Sequence, residues 1–188
     1  MEIVEKKEGQ MTFRARIDES LANAIRRYVD EIFVLAIDEV EISKNDSALY
    51  DETIAHRLGL IPLKVDKTVT ENTKANLKLI SKKDGFVYSE EISPRKIIVY
   101  GKIPITLLQK GQELEFKATA TSGKGREHSK FSPGVMFYRD SVDPEEEKDS
   151  DELVIYLESF GQLDEKSIFA GAVDALKKDL AIVSKKMK

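Results

Sequence analysis

The residues of this sequence best equipped for chemistry lie in Gly123-Lys124-Gly125-Arg126-Glu127-His128-Ser129-Lys130-Phe131-Ser132-Pro133. Gly123 and Gly125 free the backbone for a close approach, and Lys124, Arg126 and Lys130 supply the positive charge that a phosphate would need. The spacing is not that of a Walker loop. It also runs into Ser132-Pro133, where a nucleotide-binding loop would open a helix. A stand-alone nucleotide-binding enzyme using this loop is therefore the alternative expectation, and a surface turn between strands is the plainer one.

His56 and His128 are the only histidines and cysteine is absent. Without cysteine there is no disulfide, thiolate nucleophile, zinc finger or cysteine-held iron–sulfur cluster. Two histidines are too few for a zinc site without help, and neither has a serine nucleophile on a strand-to-helix elbow. We therefore expect no catalytic residue, no metal site and no cofactor. His56 should hold partners around a short helix, and His128 should order its own loop. The carboxylates crowd into 143–152, where seven of ten side chains are acidic and none is apolar. Such a run reads as a solvated linker, too mobile to organise metal ions for catalysis.

The balance of residue types narrows the class of partner. A hydrophobic fraction of 41% is enough to build a core within 188 residues, and a net charge of −4 argues against binding nucleic acid unaided. No window approaches the roughly 18 apolar residues of a membrane span, and the opening Met-Glu-Ile-Val-Glu-Lys-Lys lacks the apolar stretch of a signal peptide. We expect a cytoplasmic protein whose partners are proteins.

The elements that must position these residues follow from periodicity. Met11, Phe13, Ala15 and Ile17 alternate with polar residues and predict a strand over 11–17. Asp18 caps a helix predicted over 19–33, where Leu21, Ile25, Tyr28 and Ile32 recur at helical spacing. Residues 35–42 read as a strand, 44–47 as a turn, and 51–58 as a short helix stopped by Gly59 with Pro62 beyond. Segments 77–82 and 86–92 flank Asp84-Gly85 and predict a hairpin, with further strands over 96–100 and 113–121. After the acidic run come a strand over 153–157 and a helix over 164–186. In that helix Phe169, Val173, Leu176, Leu180, Val183 and Met187 form a heptad seam. A seam this long wants a facing helix.

Strand and helix open the chain, strand and helix close it, and a β-rich block separates them. Neither end has enough strands for a sheet of its own. The expected fold is α+β: a discontinuous domain of 1–43 and 152–188, a sheet plus two long helices, with an inserted β-rich domain over 44–142 and an acidic linker over 143–151.

Three segments then carry a resemblance. Asn23-Ala24-Ile25-Arg26-Arg27-Tyr28 with Ala36-Ile37-Asp38-Glu39-Val40, Leu49-Tyr50-Asp51-Glu52 leading into Ala55-His56-Arg57-Leu58-Gly59-Leu60-Ile61-Pro62-Leu63, and the glycine-rich loop occur in this order along the chain. Together they resemble the D subunits of archaeal DNA-directed RNA polymerase, a family related to the eukaryotic alpha-like subunits and the bacterial alpha N-terminal domain. The resemblance implies that the discontinuous domain is a dimerisation domain pairing with subunit L. It implies that this heterodimer, with subunits N and P, is the platform for the large catalytic subunits in transcription.

On that resemblance the partner-binding residues are Leu21, Ile25, Arg26, Arg27, Tyr28 and Ile32 of the first helix and Phe169, Val173, Leu176, Leu180 and Val183 of the last. Arg26 and Arg27 would meet acidic partners. In the loop, Gly123, Gly125, Arg126, His128 and Lys130 would contact a large subunit. The polymerase as a complex is a nucleotidyltransferase, and this chain is expected to carry no active site of its own. One departure is plain: many members of the family have a cysteine-rich ferredoxin-like domain shortly after the Ser-Pro of the loop, and this sequence has the acidic run instead.

Overall fold

A computed structural model describes residues 2–64, 69–140 and 152–187. The acidic linker expected over 143–151 lies outside the described residues, and Glu152 already belongs to a strand. The chain divides into two compact units, one of residues 1–32, 124–126 and 132–188, the other of 33–123 and 127–131.

The first unit is built from both ends of the chain. Its antiparallel sheet runs β1 (Glu2–Lys7), β2 (Gln10–Arg16), β9 (Glu152–Ser159) and β8 (Gly134–Asp140). The alternation seen in the sequence sets the register: Met11, Phe13 and Ala15 pair with Leu157, Ile155 and Leu153, so all six point to one face. On that face lie helices α1 (Glu19–Tyr28) and α3 (Glu165–Lys186). Each helix starts at a capping aspartate. Asp18 Oδ1 accepts from the Leu21 amide at 2.8 Å, and Asp164 Oδ2 accepts from that of Ser167 at 3.3 Å.

Helix α1 is shorter than the predicted 19–33. It passes at Tyr28 into a 3₁₀ turn over Val29–Glu31, and Ile32 is extended. The Asp30 carbonyl accepts from the Arg126 amide at 3.3 Å instead of continuing the helical ladder. Carboxylates at a helix C-terminus are also disfavoured by the backbone dipole.

The second unit holds a three-stranded sheet in the order β3 (Phe33–Asn45), β7 (Leu114–Lys124) and β4 (Lys74–Ser81). Helix α2 (Asp51–Gly59) and a two-stranded ribbon of β5 (Gly85–Tyr88) and β6 (Pro104–Leu108) complete it. Its core joins Leu35 and Ile37 to Ile54, Leu58, Leu79 and Phe116. The boundary thus differs from the 1–43 expected, because β3 is hydrogen-bonded into this sheet. β8 differs likewise: it lies within the 44–142 span but pairs with β9.

Several local expectations change. Asp84-Gly85 does turn the chain, with Gly85 at φ 116°, but β4 pairs with β7 and β5 with β6, so no hairpin joins 77–82 to 86–92. The strand expected over 96–100 is a 3₁₀ turn over Arg95–Ile97 followed by a single bridge from Ile98 to Leu63. Gly59 is the last residue of α2 and not a left-handed stop. A Cβ there would make an ordinary contact of 3.5 Å with the Ile37 carbonyl, so the position does not require glycine.

Candidate functional site: a helix face and a glycine-rich loop

In the first unit the residues expected to contact a partner fall into three groups. Ile25 is 5% exposed and packs in the core with Ala22 and Val29, so its side chain serves this chain and not a surface. Tyr28, Ile32, Phe169, Val173 and Leu176 are half-buried at the edge of that core. Phe169 sets its ring edge-on to Phe13 at 5.2 Å, and Ile32 lies against Gly171, where a Cβ would be 3.2 Å from it. Tyr28 Oη donates to Asp179 Oδ2 at 3.1 Å and so ties α1 to α3; this bond raises the phenol pKa.

The third group is exposed. Leu21 on α1 is 41% exposed, and on α3 Leu180, Val183 and Met187 are 59%, 55% and 84% exposed. The core contacts of α3 are Ile168 and Ala172, one position before Phe169 and Val173, so the heptad seam runs along the rim of the intramolecular contact. Its first half is partly covered by this unit. Its second half, from Leu180 on, is bare. Arg26 is exposed and donates from Nε and Nη2 to Asn23 Oδ1 at 3.2 and 3.0 Å, and Arg27 is exposed beside it.

The glycine-rich loop is divided between the units. In the first, Lys124 Nζ and Arg126 Nη1 each lie 2.9 Å from a different carboxylate oxygen of Glu31. Ser132 Oγ donates to Asp30 Oδ1 at 2.8 Å, and a Cβ on Gly125 would overlap that carboxylate. In the second, Lys130 Nζ, well covered, bonds Asp38 Oδ1 at 2.5 Å and the Ile37 carbonyl at 3.3 Å. The Lys130 hydrogen bond holds the Asp38 carboxyl below its ordinary range. His128 is exposed, and its Nδ1 accepts from the Lys130 amide at 3.1 Å, which orders the loop as expected. A Cβ on Gly123 would come within 2.6 Å of the Phe131 ring.

This geometry gives the nucleotide-binding alternative no support. All three loop cations face carboxylates of the same chain, and the loop leaves β7 for a 3₁₀ turn over Ser129–Phe131 in place of a helix whose amides would hold phosphate. The acidic residues that do this, Asp30, Glu31 and Asp38, are not evident from the sequence. The one signal there is a pair of carboxylates at the end of a helix, where a dipole argues against them. His56 is exposed in the last turn of α2.

The profile of the RNA polymerase Rpb3/RpoA insert domain matches residues 40–137. The DNA-directed RNA polymerase subunit Rpo3 of Methanocaldococcus jannaschii is 35% identical over 170 residues, covering 89% of this chain and 85% of its own. That of Pyrococcus furiosus is 39% identical over 151 residues, 74% of this chain and 58% of its own. The DNA-directed RNA polymerase II subunit rpb3 of Dictyostelium discoideum is 34% identical over 167 residues, 72% and 55%. The chain thus spans just over half the length of the Pyrococcus and Dictyostelium relatives and most of the Methanocaldococcus one. An insert-domain match over half the chain, with identity above 30% across most of a full-length relative, establishes that the chain belongs to the Rpb3/RpoA family of RNA polymerase subunits.

Proposed function

We propose that the chain is a non-catalytic assembly subunit of a DNA-directed RNA polymerase, pairing through the α1–α3 face with the small alpha-like subunit L. The pair, with subunits N and P, forms the platform on which the large catalytic subunits assemble. The observation that carries the reading is the bare second half of the α3 seam: three large apolar side chains repeat along a helix that has already satisfied its own core. Apolar repeats of this kind bury against a facing helix.

The glycine-rich loop fits the same reading as a contact element. Its side chains are held by Asp30, Glu31 and Asp38, leaving His128 and the outer part of Arg126 at the surface for a large subunit. Nucleotidyl transfer needs carboxylates preorganised around two metal ions. Among the described residues no three His, Asp or Glu side chains come together as metal ligands, and the reading leaves the chemistry to the large subunits.

Co-expression with subunit L and size-exclusion chromatography tests the proposal. The two chains should elute together as one species. Separate elution, with this chain monomeric and stable, would remove the basis for the reading.

A further inference from the structure

The charge on α3 runs against the rest of the chain. The protein carries −4 overall, yet this helix has five exposed lysines, Lys166, Lys177, Lys178, Lys185 and Lys186, against Glu165, Asp174 and Asp179. Two of those acids are occupied or hidden: Glu165 is buried, and Asp179 accepts from Tyr28. Asp174 lies 4.0 Å from Lys177, both side chains well exposed. The outward face of the helix is therefore cationic beside an apolar seam.

The helix dipole accounts for only part of this. It favours Lys185 and Lys186 in the last turn, but its reach ends there, short of Lys177 and Lys178. Lys166 stands in the first turn, where the dipole opposes a cation. Lys166, Val173, Lys177 and Leu180 follow one another at spacings of seven, four and three, which places them on one face. Lys166 and Lys177 thus border the seam itself, and Lys178 adds charge on the exposed side of the helix.

We propose that the surface receiving α3 is an apolar groove edged with carboxylates, and that these lysines steer it into place. This rests on the reading of α3 as the face for subunit L and states the chemistry that L must present. A basic amphipathic helix also suits an anionic membrane surface. Here the first half of the seam is already packed on the protein's own core, so the helix has no continuous apolar face to lay in a bilayer. A protein groove that takes only the second half fits that geometry.

Association rates of the full chain with purified subunit L, measured over a salt series, test the inference. The comparison is with the triple variant K166Q/K177Q/K178Q, whose fold is checked by circular dichroism. The wild-type on-rate should fall steeply with salt. The variant should associate about tenfold more slowly at low salt and respond weakly to added salt. If L binds both chains with on-rates within about twofold of each other at every salt concentration, the steering inference is overturned while the pairing with L stands. If wild type does not bind L at all, the reading of the face falls and the inference with it. Binding to vesicles of anionic phospholipid, lost in the triple variant, with no charge effect on L, would overturn it in favour of a membrane.

Discussion

Two loop residues show how little room the glycine-rich segment leaves. A methyl group on Gly125 would run into the Asp30 carboxylate, which already accepts from Ser132. Gly125→Ala should therefore destabilise the chain by about 1–3 kcal/mol, seen as a lower melting temperature, because that carboxylate must give up its partner to move. An unchanged melting temperature would mean that the loop is not pinned there. Lys130 gives a pH-dependent case. Asp38 is held below its ordinary value of 3.8 chiefly by the Lys130 hydrogen bond. A folded-state pKa below the unfolded one adds stability above the unfolded value, and that stability is lost as pH falls through the folded value. In Lys130→Met the acid-side loss below pH 3.8 should shrink, and the Asp38 resonance should titrate at a higher pH than in wild type. Asp38 is 44% exposed, so the change in stability should be modest. Identical titration in both proteins would refute the coupling. The loop's residue types were legible in the sequence, and its job was not. Charge and glycine suggest a phosphate cradle as readily as a braced contact, and only the positions of Glu31 and Asp38 decide between them.

At the scale of elements, α1 and α3 separate what is core from what is surface. Ile25→Ala removes buried methyl groups and should cost about 2–5 kcal/mol of stability, whereas Leu180→Ala, at an exposed site, should fall within about 0.5 kcal/mol of wild type. Binding to L should show the converse for Leu180→Ala: weakened association with an unchanged denaturation midpoint. A large stability loss at Leu180 would place it in the core. The periodicity of both helices was readable, but it could not tell which face the chain keeps for itself. The six seam residues share one stripe, and Ile168 and Ala172, which make the core contact, lie just beside it. Strands were legible where only one face is apolar, as in β2. β1 was missed because all six of its residues are exposed, so no buried face imposes alternation. β8 was missed because Val135 and Phe137 are apolar on the outward side and Met136 and Tyr138 on the inward side. Phe137 stacks on Tyr156 at 4.7 Å, so the outer face has packing of its own. The Asp84-Gly85 hairpin failed for a non-local reason: β4 finds an eight-residue register with β7, a longer pairing than β5 offers.

At the scale of the whole molecule, the ends of the chain meet in one sheet, with β2 and β9 paired over seven residues despite their separation in sequence. The layout of strand and helix at each end made that discontinuous unit legible. The exchange of β3 and β8 between units was not, since it depends on pairings between distant strands. The part of α3 from Leu180 on adds little to the unit's own core, so a chain ending at Asp179 should melt within a few degrees of the full chain, about 1 kcal/mol or less, and should fail to retain L on a column. Retention of L by the shortened chain would move the interface elsewhere. The most direct test of the central claim is amide hydrogen exchange of the full chain, alone and with subunit L. If α3 is the pairing face, exchange from Leu180 to Lys186 should slow markedly in the complex, while α2 and the β5–β6 ribbon keep their free-state rates. A stable complex in which those α3 amides exchange as fast as in the free chain would contradict the account.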